Sequence, residues 1–229
     1  ALGLRALSLM KDANFAFYIV IATLVMIPFT IYWSYCSVFL QDKGFEFITI
    51  TMNWGQFAEM FFMLLIPIAL AKIGLKWAML AGLAALLVRY VAFWCGGVFD
   101  MQWLYFIAIL VHGIIFGFFF VGGQIYVDKK APKEIRAQAQ GFMFLITFGI
   151  GLLAGNFLNG ALITKYSTET IVDGVKEISY NWDPIWMITT IFSTVLLVAF
   201  FVFFRDKLDQ PGTEAVSEAV KEISEEEIV

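Results

Sequence analysis

The sequence predicts an all-α membrane protein with six transmembrane helices, and three observations carry the prediction. Hydrophobic residues make up 61% of the chain and charged ones 15%, with a mean hydropathy of +0.82. A soluble domain sits near about 45–50% and 25% on the same measures. Six stretches reach the roughly 20 apolar residues that a helix needs to cross hydrocarbon. Lys and Arg collect on one side of those stretches, at 5–11, 72–76, 129–136 and 205–221, and the other side holds only Lys43, Lys165 and Lys176. That bias places both termini in the cytoplasm, and an even number of spans likewise requires them on one side.

In chain order, the first span runs from about Asn14 to Leu40 and the second from about Asn53 to Ala71. The third runs from about Trp77 to Val98 and the fourth from about Trp103 to Val127. The fifth covers Ala139 to Ile163 and the sixth Pro184 to Phe204. The connections are polar or carry turn residues: Gln41–Phe47, a tight basic turn at Lys72–Lys76, Gly96–Asp100, and the charged Asp128–Arg136 with its central Pro. Thr164–Asp183 is the longest loop, and Asp183-Pro184 marks its end and a helix start. Residues 1–12 are expected as the cytoplasmic end of a central loop, 13–204 as one transmembrane domain and 205–229 as an acidic, disordered cytoplasmic tail. The chain begins with Ala and lacks a signal-peptide cleavage pattern; a piece of a longer protein, or a trimmed start, is expected.

Composition also excludes classes. The net charge of −4 comes from the acidic run at the C-terminus, and no basic field for nucleic acid exists. Cys36 and Cys95 sit in apolar runs without CxxC spacing or a His neighbour, so no metal and no redox cofactor is expected. One His, no HExxH, no Ser/His pair at helical spacing and no paired Asp in the spans argue against an enzyme.

Three side chains that can carry charge lie well inside spans: Glu59, Arg89 and His112. Holding a charge at mid-bilayer costs from about 2.5–3.5 kcal/mol upwards, so each must face protein or water. Counted from the outer end, their depths differ by only about 5 Å at the helical rise, which allows one shared layer. Gln56 lies three residues before Glu59, on the same helix face. Glu59 is expected to bond a substrate or carry a proton; the alternative is a structural partner for Arg89 or His112. Arg89 is expected to be a structural intramembrane charge. His112 is either a packing residue or part of a site. Near the outer end of the first span, Thr30, Tyr32, Trp33, Ser34, Tyr35 and Ser37 either mark the interfacial aromatic belt or line a ligand wall. Small residues permit close helix crossings in lipid: Gly113-x-x-x-Gly117 and Gly122-Gly123 in the fourth span, Gly151-x-x-x-Gly155 in the fifth.

These motifs in this order resemble the nucleoside:proton symporter family of the major facilitator superfamily. The resemblance rests on Gly55-Gln56-x-x-Glu59, Pro67, Lys72-Ile-Gly74-x-Lys76, Arg89-Tyr90 and His112-Gly113 with Phe116-Gly117-Phe118-Phe119. It continues through Gly123-x-x-Tyr126-Val127, Arg136-Ala-x-Ala-Gln140-Gly141 and Gly149-x-Gly151-x-x-x-Gly155. It covers nearly the whole chain except the acidic tail. It implies the last six of twelve spans, built as two inverted three-helix repeats, with an N-terminal six-helix half as partner and substrate held between the halves. The first, second, fourth and fifth spans would face that cavity, with the third and sixth outside. It implies substrate contacts at Gln56, Glu59 and Phe116. His112 stands where the family has Tyr, Gly117 where it has Asp, and Thr30 and Trp33 where it has amides. Without that Asp, Glu59 is the remaining carboxylate of these spans and the expected proton-coupling residue.

The expected function is secondary transport of a small polar solute, a nucleoside or similar ring compound, across the cytoplasmic membrane by proton-coupled alternating access. The expected substrate-binding residues are Gln56, Glu59, His112, Phe116, Thr30 and Trp33. The alternatives are a non-transporting sensor on the same fold and a half-transporter acting as a dimer.

Overall fold

Hydrocarbon offers no hydrogen-bond partner to the backbone, so an apolar chain must satisfy its own peptide groups, and helices do so. In the computed structural model, which describes residues 4–172 and 175–205, five helices among the described residues are long and apolar enough to cross a membrane. They are α1 (Ala13–Asp42), α2 (Ile48–Val98), α3 (Trp103–Lys130), α4 (Lys133–Lys165) and α5 (Trp182–Phe203). A 3-10 turn, Leu4–Lys11, leads into α1.

The expected second and third spans are the two limbs of α2. This helix is 51 residues long, or about 77 Å at 1.5 Å per residue, against a hydrocarbon core of about 30 Å. It breaks at Gly74, whose φ of 77° and ψ of 170° are non-helical. That conformation is open to glycine because no Cβ collides with the backbone. The expected basic turn at 72–76 is therefore a break at one residue, between limbs 48–73 and 75–98. In α3 and α4 the helical pattern widens to π geometry over Ile115–Val121 and Leu145–Gly151, a local loosening often found at functional sites.

The all-helical architecture stands, and the expected loop at Thr164–Asp183 is corrected in one respect: it carries a short hairpin. Ser167–Val172 (β1) pairs antiparallel with Val175–Tyr180 (β2), with Ser167 opposite Tyr180 and Glu169 opposite Ile178. Alternating Thr, Ile and Val favour a pleated strand. Beyond the hairpin, Pro184 falls in the first turn of α5, where no backbone N–H is needed. The acidic tail, apart from Arg205, lies outside the described residues.

The core forms where α1, the 75–98 limb, α3 and α5 meet. Phe39 sits edge-on to Phe93, Tyr105, Trp182 and Trp186 at 5.0–5.3 Å between ring centroids. Each such aromatic pair contributes about 0.5–1.5 kcal/mol beyond burial. The Tyr90 hydroxyl donates to the carbonyl of Pro28, tying the 75–98 limb to the proline in α1. Helix ends are pinned by polar contacts. Asp12 caps α1 by accepting from the Phe15 N–H at 2.9 Å, and it pairs with Lys130 at the end of α3 at 2.9 Å. At the opposite end of α1, the Trp182 indole donates to Asp42 at 2.9 Å. α1 is the central helix, buried along most of its length, and the 48–73 limb of α2 is peripheral, with Phe57, Met60, Phe61 and Leu64 exposed.

Candidate intramembrane site at Glu59, His112 and Arg89

The site begins with two glycines. Gly113 of α3 lies against the backbone of α2: a Cβ there would fall 2.5 Å from Glu59 Cα, 2.6 Å from Glu59 N and 2.7 Å from the Ala58 carbonyl carbon. One turn earlier on α2, Gly55 faces the Ile109 carbonyl and His112 Cβ. Each helix removes its side chain where the other backbone arrives, as close crossings in lipid require. The crossing sets His112 Nε2 3.6 Å from Glu59 Oε2.

Arg89 reaches the same point from the 75–98 limb. It is fully buried. Its Nη2 lies 2.9 Å from His112 Nδ1, and its Nε donates to the Ala108 carbonyl at 3.0 Å. Its guanidinium lies over the Tyr32 ring, 4.0 Å from the centroid, a cation–π contact strengthened by desolvation. Phe29 and Tyr32, three apart on α1, both stack on the imidazole at 5.8 and 5.3 Å, with interplanar angles of 13° and 26°. The three ionisable side chains of the spans thus share one layer. His112 is 1% exposed and the Glu59 side chain 19%, so the carboxylate is the open edge of the group and Arg89 its buried end.

The other expected residues divide around this group. Gln56 is exposed on the same limb, one turn before Glu59. Phe116 lies beyond His112, with ring centroids 6.5 Å apart, and leads to Phe120, which touches Phe29 on α1 and Phe148 on α4. Trp33 is half exposed and meets Phe29 at 5.0 Å. Thr30 has other partners: it donates to the Ile27 carbonyl and accepts from Asn159 at 2.9 Å. Gly117 faces Ile66 of α2.

Sequence reasoning passed over Asn156 and Asn159 of α4. Asn159 donates to the Ile27 carbonyl at 2.8 Å as well as to Thr30, and Ser34 donates to Asn156 at 2.7 Å. Two amides three apart in an apolar span, on the face that carries Gly155, were the available signal. The structure also separates the aromatics near the outer end of α1. Tyr32 is buried against the charged group, while Trp33 is not, so a common belt assignment does not hold for both. A cavity of about 250 Å³ between α1, α4 and α5 is lined by Ile27, Pro28, Asn159, Leu162, Thr189 and Phe192, none of which belongs to the Glu59 group.

Chemically, the group presents a carboxylate acceptor beside an imidazole, backed by a guanidinium and bordered by aromatic faces. It can hydrogen-bond a polar ligand and stack on a planar one.

The family model described as nucleoside H+ symporter matches residues 1–209. The chain is 35% identical over 209 residues to the putative nucleoside transporter YegT of Escherichia coli, covering 90% of this chain and 48% of that protein. It is 29% identical over 229 residues to the nucleoside permease NupG of the same organism, covering 94% and 53%. It is 30% identical over 215 residues to the xanthosine permease, also of Escherichia coli, covering 89% and 50%. A crystal structure of the nucleoside transporter NupG superimposes with a TM-score of 0.75 at 28% identity, over 90% of this chain and 51% of that one. The chain spans about half the length of the curated relatives it matches.

Proposed function

From the premise that the chain belongs to the nucleoside H+ symporter family, we propose that it is the C-terminal half of a major facilitator transporter moving a nucleoside across the cytoplasmic membrane. In this reading α1, the two limbs of α2, α3, α4 and α5 are six passages in two inverted three-helix repeats, with residues 13–204 as one domain. The substrate lies between this half and an N-terminal six-helix half, and the halves rock about it to alternate access. Both termini are cytoplasmic. Glu59 and Gln56 hydrogen-bond the substrate, His112 borders it, Phe116 stacks on it, and Thr30 and Trp33 complete the wall from α1.

One observation carries the proposal: a carboxylate opens from an otherwise buried His–Arg pair onto the side of α2 that this chain leaves uncovered. A chain keeps an acid in a span where it faces a cavity, a partner or a proton path. Protonation of Glu59 removes a charge that would otherwise be shut away from water when the halves close over the site, which makes it the coupling residue.

The test is uptake of radiolabelled nucleoside by the full-length protein in proteoliposomes, with and without an imposed inward proton gradient. Gradient-driven uptake that Glu59→Gln uncouples is the expected result. Uptake and pH dependence both unchanged by Glu59→Gln would remove the assigned role.

A further inference from the structure

We propose that Arg89 is a positioning residue: its bond to His112 Nδ1 holds the imidazole as the Nε2–H tautomer, with that N–H directed at Glu59. The proposal rests on the site read above, and it makes Arg89 part of how the site is oriented rather than only a buried structural charge.

The argument is one of donors and acceptors. A guanidinium has five N–H donors and no acceptor. At 2.9 Å from Arg89 Nη2, His112 Nδ1 must therefore present its lone pair. A proton on Nδ1 would set two donors against each other inside a buried cluster, where an unmade hydrogen bond is costly. The ring proton is left on Nε2, which is the nitrogen that faces Glu59 Oε2 at 3.6 Å. Phe29 and Tyr32 stack on the ring and restrain its orientation. Arg89 is itself held by the Ala108 carbonyl and the Tyr32 face. The order of restraint runs inward to outward, from Ala108 and Tyr32 through Arg89 and His112 to the carboxylate. The 3.6 Å separation is long for a hydrogen bond; contacts of this kind tighten when a ligand arrives. The ring nitrogen facing the carboxylate is thus a donor at all times, and it cannot serve as an acceptor for a ligand.

His112 is the single histidine of these 229 residues. The experiment is 15N NMR of the full-length protein with 15N-histidine, with His112 identified as the signal lost in His112→Gln. The expected spectrum has an N–H coupling at Nε2 and none at Nδ1. Arg89→Leu should let the Nδ1–H form appear, and Arg89→Lys, which keeps a donor, should restore the wild-type pattern. A wild-type ring protonated at Nδ1, or at both nitrogens, overturns the proposal, as does an Arg89→Leu spectrum identical to wild type. If Arg89→Leu fails to fold, the wild-type spectrum decides. The spectrum needs no nucleoside, so loss of the transport reading and loss of this one are separate results.

Discussion

Replacing Gly113 with Ala tests the origin of the site. The added Cβ would lie 2.5–2.7 Å from three backbone atoms of Ala58 and Glu59. Carbon atoms in contact keep about 3.5–4.0 Å, so α2 and α3 must part by about 1 Å. No side-chain rotation can absorb the overlap, because every colliding atom is backbone. The same displacement opens the 3.6 Å Glu59–His112 separation to about 4.6 Å on that contact scale, and the pair is lost. Overpacking of this sort costs about 1–3 kcal/mol, and misplacing binding groups by 1 Å can cost about 10²-fold in rate. Gly141→Ala is the control, since nothing lies within 4 Å of a Cβ there. The assay pairs thermal unfolding in detergent with radiolabelled nucleoside uptake by the full-length protein. Gly113→Ala is expected to lose both stability and uptake, and Gly141→Ala neither. If the two variants behave alike, the glycine crossing does not set the site.

Three further outcomes follow from particular contacts. Asn159→Ala removes bonds to Ile27 and Thr30 between α1 and α4 and should lower stability by about 0.6–1.7 kcal/mol; in a double-mutant cycle with Thr30→Val, strictly additive losses would contradict the pairing. Gly74→Ala puts a Cβ into a conformation with φ of 77°, which should cost about 1–3 kcal/mol, visible as a lower unfolding midpoint; an unchanged midpoint would refute the strain. For Asp12, burial raises the carboxyl, but the Phe15 N–H and Lys130 outweigh it and hold it below its ordinary value of 3.8. A depressed acid stabilises fully above about pH 4 and loses that contribution as pH falls through its folded value. Asp12→Asn keeps the cap and loses at most about 1 kcal/mol at neutral pH, and its melting midpoint should fall less than wild type between about pH 6 and pH 3; parallel curves would show that Asp12 does not titrate with folding.

The apolar stretches, their order and the three ionisable residues inside them were legible because each is local. Twenty apolar residues make a span wherever they occur, and an isolated Glu, Arg or His stands out against them. The helical repeat placed Glu59, Arg89 and His112 at similar depths. It left unresolved which of them touch, since a helix can turn any face to a neighbour. Lys72–Lys76 looked like a loop because its charges are what the sequence displays; the actual break is a single torsion at Gly74. The hairpin at 167–180 was missed because short β-branched runs in a polar connection carry little signal without their partner strand.

The sequence by itself determined that this chain lives in a membrane, where its apolar stretches lie, which glycines permit close approach and which family it resembles. Only the tertiary structure decided that Gly113 receives Glu59, that Arg89 bonds His112 Nδ1, and that Thr30 turns to Asn159. Hydrophobic length and charge cost act on each segment separately. Contacts between segments depend on which backbones can approach, and that is settled by atoms far apart in the chain.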